Sequence, residues 1–67
     1  MAVARVTEVI GISPLGWKEA MDEALNRANM TLRNITHLEI LKQDAMIVNG
    51  KIMEYRVTCH FTFILED

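Results

Sequence analysis

The sequence predicts an α+β domain with the element order β-α-β-β, in which one helix lies across one face of a three-stranded sheet. Two hydrophobic patterns and one turn signal support this fold class. Apolar and polar residues alternate over the last quarter of the chain, an apolar stripe with spacings of three and four precedes them, and an Asn-Gly pair separates two strand-like segments. At 67 residues the chain has room for one domain, which we expect to cover residues 1–67.

The first strand and the start of the helix are predicted from residues 3–10 and the segment that follows. Residues 3–10 are rich in β-branched side chains, which favour a strand. Ser13 is a good N-cap residue, and Pro14 fits the first helical position, where its missing N–H costs nothing. Ile12 is spaced to pack on Trp17 as a hydrophobic staple. The helix is therefore predicted to begin at Pro14, with Trp17 in the core.

The helix is predicted to be amphipathic and about five turns long. Its polar side carries most of the charged residues of this segment, and Asn34 is suited to the left-handed conformation that closes a helix. Met21 on the helix and Met53 on the last strand both fall on the predicted core side. The predicted apolar stripe consists of Trp17, Ala20, Met21, Ala24, Leu25, Ala28 and Leu32.

Two further strands are predicted at residues 36–48 and 51–66, joined by a tight turn. Asn49 and Gly50 lie between them and form the strongest short-range signal for a two-residue hairpin, so the strands are antiparallel neighbours. The alternation fails at residues 42–44, where polar side chains fall on both faces and predict a β-bulge. Leu38 and Ile40 then share the core face with the odd-numbered residues of the last strand.

Counting back from the turn gives the cross-strand partners and the composition of the face that the helix leaves bare. The Glu39–His60 pair is the most distinctive of them, and a salt bridge on a polar face is its simplest interpretation. A catalytic acid-base pair is the alternative, but no nucleophile or oxyanion-donor pattern accompanies it. The predicted pairs are Ala45–Glu54, Gln43–Arg56, Leu41–Thr58, Glu39–His60 and His37–Thr62.

Composition and charge exclude several classes of function. The formal net charge is -2, without a block of either sign, so the chain lacks the electrostatic footprint of a nucleic-acid-binding protein. The N-terminal residues do not form a secretory signal, and no apolar run is long enough to span a membrane. We therefore expect a cytoplasmic protein, in which the single cysteine, Cys59, is a buried and inert thiol.

The size of the chain also predicts self-association. A 67-residue domain buries about 60% of the surface that its extended chain exposes, less than larger domains bury, and chains of this size usually need additional stabilisation. One cysteine forms no intrachain disulfide, and the Cys/His spacing does not match a structural zinc site. Self-association is the remaining source of stability, so we predict a homo-oligomer.

Metal binding is a further possibility from the residues alone. The two histidines, His37 and His60, together with Glu39, Asp44 and Glu54, would supply nitrogen and oxygen ligands across subunits. The chain has no loop with the close carboxylate spacing of a dedicated calcium site.

Several stretches together resemble the dodecins over essentially the whole chain. They are EVIGISP at residues 8–14, NMTLR at 29–33, LEI at 38–40 and FTFILED at 61–67, in the β-α-β-β order. The resemblance implies a hollow homododecamer in which an antiparallel sheet wraps around one helix. Members of this family commonly bind flavins as stacked pairs in pockets between subunits, and they store or sequester the cofactor without turning it over as enzymes.

The resemblance also implies which residues bind the ligand. Flavin-binding members have a tryptophan immediately before the LEI stretch, which stacks on the isoalloxazine ring, and here His37 holds that position. A glutamine on the last strand commonly hydrogen-bonds the polar edge of the ring, and its position here is Arg56. We therefore expect His37, Arg56, Gln43 and Glu39 to bind a flavin such as FMN, riboflavin or FAD.

A subset of the family lacks the tryptophan and has been associated with calcium. This chain resembles that subset in SPLGW at residues 13–17 and in QD at 43–44 followed by GKI at 50–52. The alternative to a flavin store is thus a shell of the same kind that binds calcium or another ion, or a purely structural one. An enzyme that uses His37 or His60 is the third hypothesis, and the lack of a matched nucleophile disfavours it.

Overall fold

The structure, a computed structural model, describes residues 1–65 and has the predicted order of elements. The three strands form one antiparallel sheet in the order β1-β3-β2, which confirms the predicted fold class. Glu66 and Asp67, which end the predicted last strand and the FTFILED stretch, lie outside the described residues. The elements are β1 (Ala4–Ser13), α1 (Trp17–Thr31), β2 (Ile35–Val48) and β3 (Lys51–Ile64).

Strand β3 occupies the centre of the sheet because its odd-numbered side chains form the longest apolar row in the chain. Val57, Cys59 and Phe61 are fully buried on that row, as the alternation predicted. Strand β1 is longer than predicted, since it continues to Ser13 and pairs there with Tyr55.

Helix α1 packs on β1 and β3 through its small residues. Ala20, Ala24 and Ala28 are buried, while the larger side chains of the predicted stripe lie half-buried at the margins. The approach is closest at Gly11, where a Cβ atom would lie 1.9 Å from the carbonyl oxygen of Ala20. Only glycine therefore allows this helix-to-strand distance. No helix within residues 1–65 is both long and apolar enough to cross a membrane.

The helix begins three residues later than predicted. Its first residue is Trp17, and Gly16 is the N-cap without a side-chain capping bond. Ser13 does not cap the helix, because it is the last residue of β1 and its Oγ accepts a hydrogen bond from the N–H of Leu15 at 3.1 Å. This short side-chain turn competes with helical structure, and Pro14 lies within it.

Trp17 and Met53 also differ from their predicted positions in the core. Trp17 is 37% exposed and packs edge-to-face on Tyr55, with ring centroids 4.9 Å apart. The predicted staple is wrong because Ile12 is paired with Arg56 and lies on the other face of the sheet. Met53 is 52% exposed, since it has no partner in either strand register.

The predicted hairpin is confirmed. Asn49 and Gly50 both have positive φ, 53° and 77°, and they connect Val48 directly to its partner Lys51. These are the angles that a primed two-residue turn requires.

The register of β2 against β3 shifts at three places, and the two shifts nearest the turn make part of the predicted pairing wrong. The first shift leaves Met53 without a partner on β3, and the second leaves Leu41 without one on β2, one residue before the predicted bulge. Between them the observed pairs are Met46–Glu54, Ala45–Tyr55, Asp44–Arg56, Gln43–Val57 and Lys42–Thr58, which replace Ala45–Glu54, Gln43–Arg56 and Leu41–Thr58. Beyond Leu41 the predicted pairs Glu39–His60 and His37–Thr62 are confirmed.

Candidate functional site on the helix-free face

The face of the sheet that points away from α1 carries most of the predicted site residues, and we call it the helix-free face. Opposite residues in a sheet share a face, so the register defines four rows across the three strands. In the order β1, β3, β2 these rows are Ile12–Arg56–Asp44, Ile10–Thr58–Lys42, Glu8–His60–Glu39 and Val6–Thr62–His37.

His37 lies at one end of this face and is exposed. Its Nδ1 is 2.9 Å from the Oγ1 of Thr36. The hydroxyl of Thr36 in turn donates a hydrogen bond to the backbone oxygen of Thr62 at 3.4 Å. The imidazole is thereby tied to the sheet through one nitrogen while its other nitrogen points away from this contact.

His60 lies in the middle of the face and bonds to a residue that the sequence did not reveal. Its Nε2 is 2.9 Å from Oε1 of Glu8 on β1. Glu39 is directly opposite His60 on β2, as predicted, but forms no ion pair with it within residues 1–65. His60 thus hydrogen-bonds to a different carboxylate from the predicted one, because β1 also pairs with β3 and brings Glu8 beside the histidine.

Arg56 lies at the other end of the face, between Ile12 and Asp44. Its Nε has no accessible surface and no hydrogen-bond partner within residues 1–65. The nearest carboxylate oxygen in an ion pair, Oε2 of Glu54, is 3.9 Å away, which is too long for a hydrogen bond. Nε itself is closed off from solvent, whereas the side chain as a whole is 43% exposed, so the terminal N–H groups are the donors left for a ligand or for another chain.

The four predicted ligand-binding residues do not form one site within a single chain. His37 belongs to the row of Thr62, which is six residues from Arg56 along β3, a span of about 20 Å. Glu39 lies near the His37 end. Gln43 is opposite Val57 and not Arg56, so it belongs to the helix side of the sheet.

The helix-free face is less polar than predicted because of strand β1. Val6, Ile10 and Ile12 lie on it beside the polar residues of β3, and all three are exposed. The alternation of β3 alone predicted a polar helix-free face. Strand β1 adds an apolar stripe along its edge.

The single thiol is unsuited to nucleophilic chemistry, as predicted. Cys59 is fully buried in the core, and its Sγ points toward the backbone oxygen of Val57 at 4.0 Å. Burial raises the pKa of the Cys59 thiol above its ordinary value because desolvation disfavours the thiolate.

Two open depressions on the surface lie away from these residues. One, of about 230 Å³, lies between the outer edge of β1 and α1 and is lined by residues 9–12 together with Glu23, Ala24 and Arg27. The other, of about 210 Å³, lies at the end of α1 and is lined by residues 31–34 and 63–65. Neither lining includes His37, Glu39, Gln43 or Arg56.

The comparison with known proteins settles the family. A family model described as Dodecin matches residues 3–66. The chain belongs to the dodecin family. Its structure superposes on dodecin from Streptomyces coelicolor with a TM-score of 0.94 at 35% identity, covering 98% of this chain and 94% of that one. Dodecin from Streptomyces davaonensis gives a TM-score of 0.93 at 32% identity, with 98% and 97% covered.

A calcium-binding dodecin is also among the similar proteins. Calcium dodecin from Mycobacterium tuberculosis is 30% identical over 63 residues, which cover 94% of this chain and 89% of that protein. Its crystal structure, described as having a novel calcium-binding site, gives a TM-score of 0.83 at 32% identity, covering 96% of this chain and 91% of that one.

The side chains of residues 1–65 in one chain do not form a metal site by themselves. Calcium takes six to eight oxygen ligands. Within residues 1–65, no three His, Cys, Asp or Glu side chains are arranged to hold a metal ion.

Proposed function

We propose that this dodecin is a homo-oligomeric binding protein that stores or sequesters a flavin in pockets between subunits, and that it is not an enzyme. One observation carries the proposal: His37 and Arg56 share the helix-free face but lie about 20 Å apart along it. A single isoalloxazine ring that contacts a His37 and an Arg56 must therefore lie between two chains. The family resemblance supports the same arrangement, in a homododecamer.

The exposed surface of one chain supports self-association. Its accessible surface is 5083 Å², whereas a compact monomer of 7.7 kDa has about 4,300 Å². Its radius of gyration is 13.8 Å, against about 11 Å for a compact 67-residue domain. The excess accessible surface is partly apolar, because Val6, Ile10 and Ile12 are exposed on one face. Further copies of the chain, in the cytoplasm, are the expected partners.

The chemistry of His37 and Arg56 supports a flavin ligand of moderate affinity. Neutral imidazole stacks on a flat ring, although less strongly than indole, which presents a larger aromatic surface. The exposed part of the Arg56 guanidinium suits a ring carbonyl or a phosphate, since its terminal N–H groups form charge-assisted hydrogen bonds with such acceptors. FMN, riboflavin and FAD all present acceptors of this kind.

Titration of flavin fluorescence tests the proposal. We expect riboflavin and FMN to be quenched on binding, at a stoichiometry that follows the number of subunit interfaces. His37→Trp should tighten binding by about tenfold, since it restores the better stacking surface, and His37→Ala should weaken it by a similar factor. Lys18→Ala on the outer side of α1 is the matched control and should change nothing. Unchanged fluorescence at high protein concentration would refute flavin binding.

The second candidate is a shell that binds calcium or has a purely structural role. The similarity to calcium dodecin favours it. Under this hypothesis calcium raises the melting temperature of the oligomer, and chelation lowers it. If neither treatment changes the melting temperature or the mass in solution, calcium has no role in this protein.

A further inference from the structure

We propose that the end of the β2–β3 hairpin binds in the groove between β1 and α1 of a second copy of this chain. We call residues 46–54 the arm, and we call the depression lined by residues 9–12, Glu23, Ala24 and Arg27 the β1–α1 groove. The inference rests on the homo-oligomer of the proposed function and adds to it which two surfaces meet.

The arm extends beyond the rest of its own chain. The last pair between β1 and β3 is Ser13–Tyr55, so residues 46–54 form a sheet of only two strands. Helix α1 begins beside Tyr55, where Trp17 packs on it, and from there it runs back along β1 past Gly11. A two-stranded hairpin that nothing covers is at best marginally stable in water. The arm therefore needs a covering surface that its own chain does not provide.

The arm is also the most apolar exposed part of the chain. Five of its nine residues are large hydrophobic side chains that are 43–57% exposed: Met46, Ile47, Val48, Ile52 and Met53. An apolar cluster of this kind marks an interaction site. The accessible surface of the chain exceeds that of a compact monomer of the same mass by about 750 Å². This excess is close to the ~800 Å² that each partner buries in an interface of standard size.

The β1–α1 groove suits an extended apolar segment. Because β1 is an edge strand of the sheet, the backbone groups on its outer side have no strand partner within residues 1–65. Gly11 and Ala24 leave the floor of the groove without large side chains. Residues 51–54 of the arm likewise lack a neighbour on the side where β1 has ended. Pairing of these two free edges adds main-chain hydrogen bonds to the apolar contact.

The arm reaches this groove only in another copy. It lies beyond Ser13 in the same sheet as β1, so it points away from residues 9–12 of its own chain. Arm and groove are different patches of the surface, which makes the contact heterologous. A heterologous contact repeats from chain to chain until a ring closes.

The charges of the two surfaces are complementary. The groove carries Glu23 and Arg27, about 6 Å apart along α1, and the arm carries Lys51 and Glu54, about 10 Å apart along β3. Long side chains accommodate this difference in spacing. Glu23, Arg27 and Lys51 have no ion pair within residues 1–65. We therefore expect Lys51 to face Glu23 of the second copy, with Glu54 beside Arg27.

Reversal of single charges tests the inference, with the mass of the full chain measured by analytical ultracentrifugation over a range of concentrations. Glu23→Lys and Lys51→Glu should each raise the concentration needed for assembly by about tenfold or more, because each variant places like charges together. The double variant restores opposite charges and should return to within about threefold of wild type. Arg33→Glu is the matched control, since it reverses an exposed charge beside the other depression and should change nothing.

The masses distinguish failure of this inference from failure of the proposed function. If wild type is an oligomer and both single variants assemble equally well, the inference is overturned and the homo-oligomer stands. The same conclusion follows if Arg33→Glu weakens assembly as much as Glu23→Lys, or if the double variant is no better than the single ones. A wild-type chain that sediments at 7.7 kDa at every concentration would refute the homo-oligomer itself.

Discussion

Gly11→Ala is the substitution that most directly tests how α1 is held on the sheet. The added Cβ would lie 1.9 Å from the carbonyl oxygen of Ala20, 2.9 Å from its carbonyl carbon and 3.0 Å from Cβ of Ala24. The first two are backbone atoms of the helix, so no side-chain rotation relieves the contact. The helix must move outward by about 1.5 Å to reach an ordinary separation of about 3.4 Å.

The cost follows from what that movement separates. A gap of 0.5 to 1 Å already removes roughly a quarter to a half of the dispersion attraction across a contact, and the Ala20–Ala24 segment packs on the fully buried row of β3. Overpacking a core lowers the free energy of unfolding by about 1–3 kcal/mol. Because this clash involves backbone atoms, we expect a loss at the upper end, about 3 kcal/mol. For a chain of this length the melting temperature should fall by about 15 °C.

Thermal unfolding followed by circular dichroism, at equal protomer concentrations, measures the effect. Gly16→Ala is the matched control, because its Cβ would meet only the flexible end of the Glu19 side chain, at 2.6 Å, and its φ of 164° is extended backbone. We expect the free energy of unfolding of the control variant to fall by less than about 0.5 kcal/mol. A melting temperature of Gly11→Ala within about 3 °C of wild type, or equal losses in the two variants, would refute the packing argument.

Three further predictions concern the turn, the core thiol and the aromatic pair. Gly50→Ala should lower the free energy of unfolding in urea by about 1 kcal/mol, because a Cβ atom is strained at its φ of 77° although no other atom lies within 4 Å of it. Burial raises the pKa of the Cys59 thiol in the folded chain, so its contribution to the free energy of unfolding is complete below the unfolded thiol pKa of about 8.5. Above that pH the free energy of unfolding should fall, because the unfolded thiol loses its proton first. Cys59→Ala should remove this dependence on pH. Trp17→Ala should cost about 1 kcal/mol beyond lost burial through its contact with Tyr55, and Trp17→Phe should recover most of it.

The sequence was sufficient for the parts of the fold that depend on short-range signals. The alternation along β3 predicted its buried row, and the Asn49–Gly50 turn predicted the hairpin, because both follow from periodicity and backbone angles within a few residues. The predicted start of the helix was wrong because a contact between distant segments overrides the local signal. Ser13 and Pro14 carry a strong N-terminal signal, but pairing of Ser13 with Tyr55 in the sheet outweighs it.

The parts of the site that the sequence did not reveal depend on contacts between distant segments. Glu8 bonds to His60 across 52 residues, and no tight turn joins β1 to β3, so their register has no local signal. The apolar stripe that Ile10 and Ile12 add to the helix-free face is unpredictable for the same reason. Arg56 was singled out from the family resemblance, whereas its unpaired Nε is visible only in the structure.

The register shifts at Met53 and Leu41 explain why the predicted β2–β3 pairing is right at the His37 end of the helix-free face and wrong around Arg56. A single unpaired residue moves every later side chain to the other face of a sheet. The unpaired Met53 on β3 has this effect from Glu54 onward, so Asp44 replaces Gln43 opposite Arg56. The unpaired Leu41 on β2 then restores the original register. The pairs at the histidine end of the face, Glu39–His60 and His37–Thr62, therefore follow directly from the position of the turn.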